Sequence, residues 1–301
     1  MADFFKIRES NLQFLKAIPL YYQGEGNKLT PFKHESRDLS TTDGLPRLFV
    51  HKDNLGKAVA QITKGLNYEL ERQFDSPNIF RLKTVICQIM YEVLLPEQKK
   101  AAMALNDTID IIIRGAKRNY KFMKELAEEH IDTELAIVEH SINVMALALA
   151  YCFCQRLPEK ETRILGLCGL LHDMGTAFLD HGILKTRERL SQSQFEQYKN
   201  HPELGHDMLI MHTDFNIAVA NVALEHHERL DKSGYPTGTN IICWQSQAIG
   251  FIDSFEALTF RNKAFRKAKK PYDTLNLMKK EVLAGKFDLQ FFKEFTTCLL
   301  K

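Results

Sequence analysis

The sequence predicts a mainly α-helical protein that carries a small α/β region at its N-terminus. Apolar residues make up 45% of the 301 residues, which is typical of a globular chain. From Ile79 onward the apolar residues recur at helical spacing almost without interruption. Residues 1–75 instead contain short apolar runs that are broken by turn-forming segments. We therefore expect an all-helical bundle in the C-terminal part.

The N-terminal region is expected to form strands and one helix. The runs "FLKAIPLYY" and "LPRLFVHK" have the length and composition of strands, and "GEGNKLTP" and "TTDGLP" carry turn chemistry. Residues 54–73 follow with apolar side chains at helical spacing. These observations favour a small α/β domain.

The helical region begins after a break at Asp75-Ser76-Pro77. The segment "RLKTVICQIMYEVL" is predicted to be one amphipathic helix, and "NDTIDIIIRGAKRNYKFMKELAEE" a second, with Asn106 or Asp107 as its N-cap. We place the domain boundary within 75–106. Residues 1–105 are interpreted as an α/β regulatory domain with a linking helix, and residues 106–301 as the helical domain.

Charge and apolar patterning exclude several classes of protein. A net charge of +2 and a pI near 8.1 are too balanced to indicate a nucleic-acid or membrane surface. The start "MADFFKIRES" has no apolar leader, and the run Val144–Cys154 is too short to span a bilayer. The 6 cysteines show no CxxC spacing. We expect free thiols and a cytoplasmic protein.

Five apolar segments each deliver an imidazole or a carboxylate. Taken singly, each has an ordinary structural explanation, such as a satisfied core histidine or a cation at a helix C-terminus. Burying all of them unpaired would cost several kcal/mol per group, and a shared metal removes that cost. Donors of this kind, without thiolate, favour iron, manganese or zinc. The residues are His140, His172, Asp173, His201, His226, His227 and Asp253.

Two motifs resemble a known family. "HDMG" after an apolar helix is similar to the HD phosphohydrolase superfamily, and "HHERLDKSGYP" resembles its HD-GYP branch, the cyclic-di-GMP phosphodiesterases. "HGILKTRERLSQSQFEQYKNHPELG" and "AIGFIDSFEALTFRNKAFRKA" resemble further family segments in the family's order. The likeness covers roughly residues 130 to 290 and implies an HD-type helical bundle.

The resemblance implies two divalent transition metals, with iron expected first and manganese as the alternative. The first metal would be held by His140, His172, Asp173 and Asp253. The second would share Asp173 and add His201, His226 and His227. We expect Asp231 or Glu228 to support the adjacent histidines through their unligated atoms.

Four positions depart from the family or match it loosely. Thr176 replaces a lysine that reaches the substrate phosphate in the family, and Lys185 or Lys232 is expected to compensate. Lys232 itself stands where the family has glycine. Ala136 replaces the glutamate that some members use for a third metal, so we expect two metals. The arginine spacing is shifted, which leaves Arg261 and Arg266 to share one role.

The implied function is hydrolysis of cyclic-di-GMP by a metal-activated hydroxide, slowed by the loss of the lysine. Asp173, Thr176 and Lys185 are the expected catalytic residues, with Tyr235, Lys232, Arg261 and Arg266 as substrate contacts. Tyr235 has a plainer alternative, which is to pack the loop. One competing hypothesis is a weakly active or inactive cyclic-di-GMP-binding protein that acts on a signalling partner. Another is a hydrolase of a different cyclic dinucleotide or nucleotide.

Overall fold

The computed structural model describes residues 3–23, 28–32, 47–75, 77–94, 99–131, 136–180, 182–183, 189–260 and 267–301. The described part is mainly helical with one small sheet, which confirms the predicted fold class. The N-terminal helices are α1 (Lys52–Gln73), α2 (Ile79–Val93), α3 (Leu105–Gly115) and α4 (Tyr120–Glu128). The bundle continues with α5 (Ala136–Gln155), α6 (Glu159–Leu171), α7 (Gln192–Tyr198), α8 (His201–His212), α9 (Ile217–Glu225), α10 (Trp244–Thr259), α11 (Pro271–Leu283) and α12 (Leu289–Leu300).

The N-terminal strands form a four-stranded antiparallel sheet. They are β1 (Phe4–Ile7), β2 (Leu20–Gln23), β3 (Leu29–Phe32) and β4 (Leu48–His51), in the spatial order β1-β4-β2-β3. Both runs predicted as strands contribute to this sheet. Helix α1 starts directly after β4 and packs against it, burying Leu55, Val59 and Ile62.

The N-terminal part and the bundle share one hydrophobic core. Helix α1 packs against α2 and α3, and α2 packs in turn against α5 at the centre of the bundle. A single cluster of buried apolar side chains runs from Ile7 in the sheet to Cys298 in the last helix. The predicted boundary after residue 105 falls at the first turn of α3.

The segment 106–129, predicted as one helix, is two helices, and that prediction was wrong. Helix α3 ends at Gly115, and Lys117 and Arg118 then adopt positive φ angles of 49° and 56°, which no α-helix continues through. The Asn119 side chain accepts hydrogen bonds from two backbone N–H groups and so caps α4. The predicted caps, Asn106 and Asp107, lie inside α3, which begins at Leu105.

The expectation of free cysteines is also corrected at one pair. Cys154, near the end of α5, forms a disulfide with Cys298 of α12, 144 residues further along the chain. Cys87, Cys152 and Cys168 are buried free thiols. Helix α5 is apolar and long enough by composition to cross a membrane, but 83% of its most apolar window is buried inside the protein.

A buried ion pair joins α2 to the start of α5. The fully buried Lys83 ammonium lies 3.7 Å from Glu139 Oε1 and donates to the carbonyl oxygens of Ala127 and Glu129 at the end of α4. The same Glu139 oxygen accepts from the backbone N–H of Ile131 at 3.1 Å. Since Glu139 precedes His140, this contact fixes the segment that presents the first predicted ligand.

Candidate metal centre

The helix ends and helix centres of the bundle bring the predicted ligands together. His140 lies in the second turn of α5, and Asp253 lies near the middle of α10. His172 follows the last residue of α6, with Asp173 next to it. His201 opens α8 beside Pro202, as the sequence predicts, and His226 and His227 follow α9. All seven side chains are at least five-sixths buried.

Two groups of ligand atoms meet at Asp173. One group contains His140, His172 and Asp173, and the other contains Asp173, His201, His226 and His227, each compact enough to hold a metal ion. The two carboxylate oxygens of Asp173 face opposite groups. Oδ1 lies 3.1 Å from His201 Nε2, and Oδ2 lies 3.5 Å from His172 Nε2.

The first group is closed by Asp253. The Nε2 atoms of His140 and His172 are 3.2 Å apart, and Asp253 Oδ1 lies 3.1 Å from His140 Nε2. The other oxygen of Asp253 lies 3.9 Å from His227 Nδ1 in the second group. Asp253 therefore lies against both groups, whereas the resemblance assigns it to the first metal alone.

The second group is built from three imidazoles. The Nε2 atoms of His201 and His226 are 3.3 Å apart, and both face Asp173 Oδ1. The ring of His227 packs against that of His226 with centroids 4.1 Å apart. The two adjacent histidines thus place both rings in one group, because α9 ends at Glu225 and both residues lie in the turn that follows.

Hydrogen bonds to Nδ1 orient the rings. His172 Nδ1 contacts the carbonyl of Gly169 at 2.9 Å, and His201 Nδ1 contacts the carbonyl of Tyr198 at 2.7 Å. His226 Nδ1 contacts carbonyls of the preceding turn of its own helix. Because a carbonyl oxygen only accepts, these three rings carry the proton on Nδ1 and point an Nε2 lone pair into the site.

The pKa shifts of two histidines and of both aspartates also suit a metal. Burial lowers the pKa of His172 to about 4 and that of His227 well below its usual value, so both rings are neutral near pH 7. Burial opposes ionisation of Asp173 and Asp253, but the surrounding imidazoles outweigh it and lower the pKa of both carboxyls. Neutral imidazoles and ionised carboxylates are the forms that bind metal ions.

Two buried polar atoms support the same interpretation. Asp173 Oδ1 and His227 Nε2 are both buried and have no hydrogen-bond partner among the described residues. A buried polar atom left in this way is costly unless another ligand satisfies it. A divalent cation at the second group fits these two atoms and the oxygen and nitrogen donors around them.

Glycines let the backbone segments of the site approach closely. A Cβ atom at Gly250 of α10 would lie 2.3 Å from the carbonyl oxygen of His226. A Cβ atom at Gly175 would lie 1.9 Å from the carbonyl oxygen of His201. The two glycines therefore let α10 pack against the end of α9, and let the segment after α6 pack against the start of α8.

The loop after α9 covers the second group. Tyr235 stacks on His227, with ring centroids 4.6 Å apart and an interplanar angle of 27°. Gly234 has no positive φ, and its role is space, since a Cβ there would lie 2.4 Å from the Glu228 backbone. The predicted support of the histidines by Asp231 or Glu228 does not occur. Glu228 Oε1 accepts from the backbone of Thr237 and Gly238, and Asp231 accepts from Ser233.

The two residues that depart from the family lie in contrasting environments. Thr176 is 1% exposed and its hydroxyl donates to the carbonyl oxygen of Asp173 at 2.7 Å, so its proton is already engaged. Lys232 is exposed and has a φ of 66°, a conformation that glycine adopts more easily. Lys185, Arg261 and Arg266 lie outside the described residues.

Sequence reasoning missed three residues of the site. Glu256 accepts a hydrogen bond from Asn143 at 2.8 Å and contacts His140 Nδ1. Lys199 places its ammonium 5.9 Å from the centre of the Tyr235 ring. The spacing of Asp253 and Glu256, three residues apart on one helix, was the signal that could have found Glu256.

The comparisons with known proteins agree with this geometry. The HD domain family matches residues 114–291, which is more than half of the chain. A solved structure of Bd1817, an HD-GYP-type protein from Bdellovibrio bacteriovorus, has the same fold, with a TM-score of 0.65 over 99% of this chain and all of its own at 17% identity. This chain belongs to the HD domain family.

Curated relatives of this HD domain protein are named for cyclic dinucleotides. The cyclic di-GMP phosphodiesterase PA4108 of Pseudomonas aeruginosa is 28% identical over 217 residues, which is 71% of this chain and 51% of the relative. The 3'3'-cGAMP-specific phosphodiesterase 1 of Vibrio cholerae is 33% identical over 147 residues, 46% of this chain and 34% of the relative. The chain thus spans about half or less of the length of these relatives.

Proposed function

We propose that this HD domain protein is a member of the HD-GYP branch and a metal-dependent phosphodiesterase of cyclic dinucleotides, with cyclic-di-GMP as its substrate. The observation that carries the proposal is Asp173, whose two carboxylate oxygens face two separate groups of histidines. Two divalent cations, with iron expected first and manganese second, would supply Lewis acidity and an acidified water there. No protein nucleophile is needed in such a reaction.

We assign metal binding and substrate contacts to different residues of the chain. Asp173 and Asp253, which are both ionised, would hold the cations together with the histidines that carry their proton on Nδ1. Tyr235, stacked on His227 at the edge of the second group, is proposed to meet a guanine base or a phosphate. The Lys199 ammonium lies 5.9 Å from the centre of the Tyr235 ring, and Lys232 is exposed in the same loop. We assign both a phosphate contact.

We propose that hydrolysis is slow. The family's lysine is replaced by Thr176, whose hydroxyl donates to the Asp173 carbonyl. A threonine so engaged offers no positive charge and no free proton to a phosphate. Removing one donor aimed at developing charge typically lowers kcat by about 10²–10³-fold.

Two alternatives are kept. A cyclic-di-GMP-binding protein without useful turnover, acting on a signalling partner, is favoured by the same environment of Thr176. A hydrolase of another cyclic dinucleotide is favoured by the relative from Vibrio cholerae that is named for 3'3'-cGAMP. We assign residues 1–105 the role of a regulatory region, since the sheet and α1 contain none of the seven proposed ligands.

One experiment separates the three. Protein loaded with Fe(II) or Mn(II) is incubated with cyclic-di-GMP, 3'3'-cGAMP and a linear dinucleotide, and the products are separated by chromatography. Turnover of cyclic-di-GMP alone, lost in Asp173→Ala, supports the proposal. Turnover of 3'3'-cGAMP alone selects the other substrate. Tight binding of cyclic-di-GMP without product in the metal-loaded protein selects the binding role.

A further inference from the structure

The Nδ1 partner of His140 differs from those of the other oriented ligand rings. His172, His201 and His226 each point Nδ1 at a backbone carbonyl, which no substitution removes. His140 points Nδ1 at the carboxylate of Glu256. Of these four rings, His140 alone is therefore oriented by a charged side chain.

Glu256 is held in place from the opposite helix. It is 3% exposed, and its second oxygen accepts from the Asn143 amide at 2.8 Å. His140 and Asn143 lie three residues apart on α5, and Asp253 and Glu256 lie three residues apart on α10. Side chains three residues apart share a helix face. Each helix thus contributes one residue that faces the metal site and one residue that supports it. His140 and Asp253 face the site, and Asn143 and Glu256 support it.

This arrangement has a chemical consequence for the ligand atom. A carboxylate that accepts the Nδ1 proton leaves Nε2 with its lone pair, and it raises the basicity of the ring toward a metal. Nε2 of His140 is the atom that lies against His172 and Asp253. The carboxylate therefore acts on the first group of ligands and not on the second.

We propose that Glu256 is a positioning residue that holds His140 through Nδ1 and, by its negative charge, tightens the first metal site specifically. The inference rests on the metal centre of the proposed function and deepens it. A competing role is purely structural, in which Glu256 and Asn143 only satisfy each other between α5 and α10. The two roles differ in one respect: positioning acts on one metal of two, whereas a structural role affects the fold and both metals alike.

The test variant is Glu256→Gln, which keeps the shape and removes the charge. The Oδ1 atom of Asn143 is buried and has no partner among the described residues, so a rotated Asn143 amide can accept from the new glutamine NH2. The glutamine oxygen then remains available to His140. We expect affinity for one metal to fall about 10–100-fold, with the second unchanged.

The chain contains a matched control. Glu92 of α2 is buried and accepts from the Asn11 amide at 2.8 Å, and the Asn11 Oδ1 atom also has no partner among the described residues. The pair has the same chemistry as Glu256 and Asn143 but lies in the N-terminal part. Glu92→Gln should bind both metals as the wild type does. Affinities are measured with Mn(II) against a chromophoric chelator, together with the electron paramagnetic resonance signal of the paired ions.

A third variant tests whether Glu256 acts through His140. In a double-mutant cycle, His140→Ala combined with Glu256→Gln should bind the metals no more weakly than His140→Ala alone. Additive losses would overturn the proposal, as would a Glu256→Gln protein with two unchanged affinities or with equal loss of both metals. A wild-type protein that binds no metal would overturn the proposed function itself, and that result is distinct from all of these.

Discussion

Asp173 Oδ1 lies 3.1 Å from His201 Nε2, while the other oxygen of the same carboxylate faces His172 and His140. One side chain thus belongs to two groups of ligands that come from different helices. His140, by contrast, contacts no proposed ligand in the described residues beyond the first group and Asp253. This asymmetry predicts different metal contents for two alanine variants.

Asp173→Ala should lose both metals, and His140→Ala should lose one. The shared carboxylate is the only residue common to the two described groups, so its removal weakens each. Elemental analysis of protein reconstituted with Fe(II) or Mn(II) should find about two ions in the wild type, one in His140→Ala and none in Asp173→Ala. Equal losses in the two variants would contradict the bridging role.

Gly250→Ala should damage the second metal site. The added methyl would lie 2.3 Å from the His226 carbonyl oxygen, which is backbone and cannot rotate away. Overpacking of this kind costs roughly 1–3 kcal/mol and should displace His226. Gly166→Ala of α6 is the control, since its nearest neighbour is the end of the Ile109 side chain at 2.6 Å. Urea unfolding and metal analysis of both variants test the difference, and equal metal content in both would count against it.

Lys83 predicts a pH dependence of stability. Burial lowers the pKa of Lys83 from 10.5 to about 8, although the nearby Glu139 opposes the shift. Between pH 8 and 10.5 the unfolded chain holds this proton and the folded chain releases it, so the free energy of unfolding rises with pH. Across that window, the free energy of unfolding of the wild type should rise by up to about 3 kcal/mol relative to that of Lys83→Met.

The same variant should be destabilised near pH 7. Removing one partner of a buried pair leaves the Glu139 carboxylate uncompensated, which typically costs about 3–5 kcal/mol. The double variant Lys83→Met/Glu139→Gln should recover part of the loss. Urea titrations at a series of pH values measure both effects, and a difference between wild type and Lys83→Met that does not vary with pH would show that Lys83 has an ordinary pKa.

Thr176→Lys should raise turnover with little change in affinity for cyclic-di-GMP. The lysine would restore the positive charge whose loss is proposed to slow hydrolysis by about 10²–10³-fold. Because Thr176 is 1% exposed, circular dichroism and metal content must confirm that the variant folds and is loaded. Rapid turnover by the wild type, unchanged in Thr176→Lys, would show that the lysine is dispensable.

Lys232→Gly should separate stability from turnover. Glycine relieves the positive φ of 66° at this position, which costs a side-chain-bearing residue roughly 1–2 kcal/mol. The variant should therefore unfold at higher urea concentration. Loss of the cation should at the same time lower the remaining turnover. A variant that is more stable and equally active would leave Lys232 without a role in hydrolysis.

The fold class and the convergence of the seven predicted ligands followed from the sequence because the motifs carry their own chemistry. Adjacent pairs such as His226 and His227 have few structural explanations, and the helix that ends just before them was visible in its apolar spacing. The motifs could not predict which side chains of distant helices would be in contact. Glu256 acquires its partner, His140, only when α5 and α10 pack together.

Local conformations that oppose residue preferences were also hidden. The break after Gly115 depends on Lys117 and Arg118 in a conformation that neither residue favours, so the apolar pattern continued across it. The Cys154–Cys298 disulfide joins residues 144 apart, and no spacing rule connects them. The missed helix break and the missed disulfide have the same origin, because both depend on tertiary packing and not on local sequence preference.

The proposed ligands come from five separate segments, so the bound ions would act as cross-links of the bundle. The N-terminal sheet contributes no ligand in its described residues and would not be tied in this way. Chelation should therefore loosen the molecule unevenly. Amide hydrogen exchange would accelerate first in α8, α9 and the loop that carries Tyr235, while protection in β1 and β4 persists. The bound metals would then stabilise the helical bundle that forms their site, and not the N-terminal sheet.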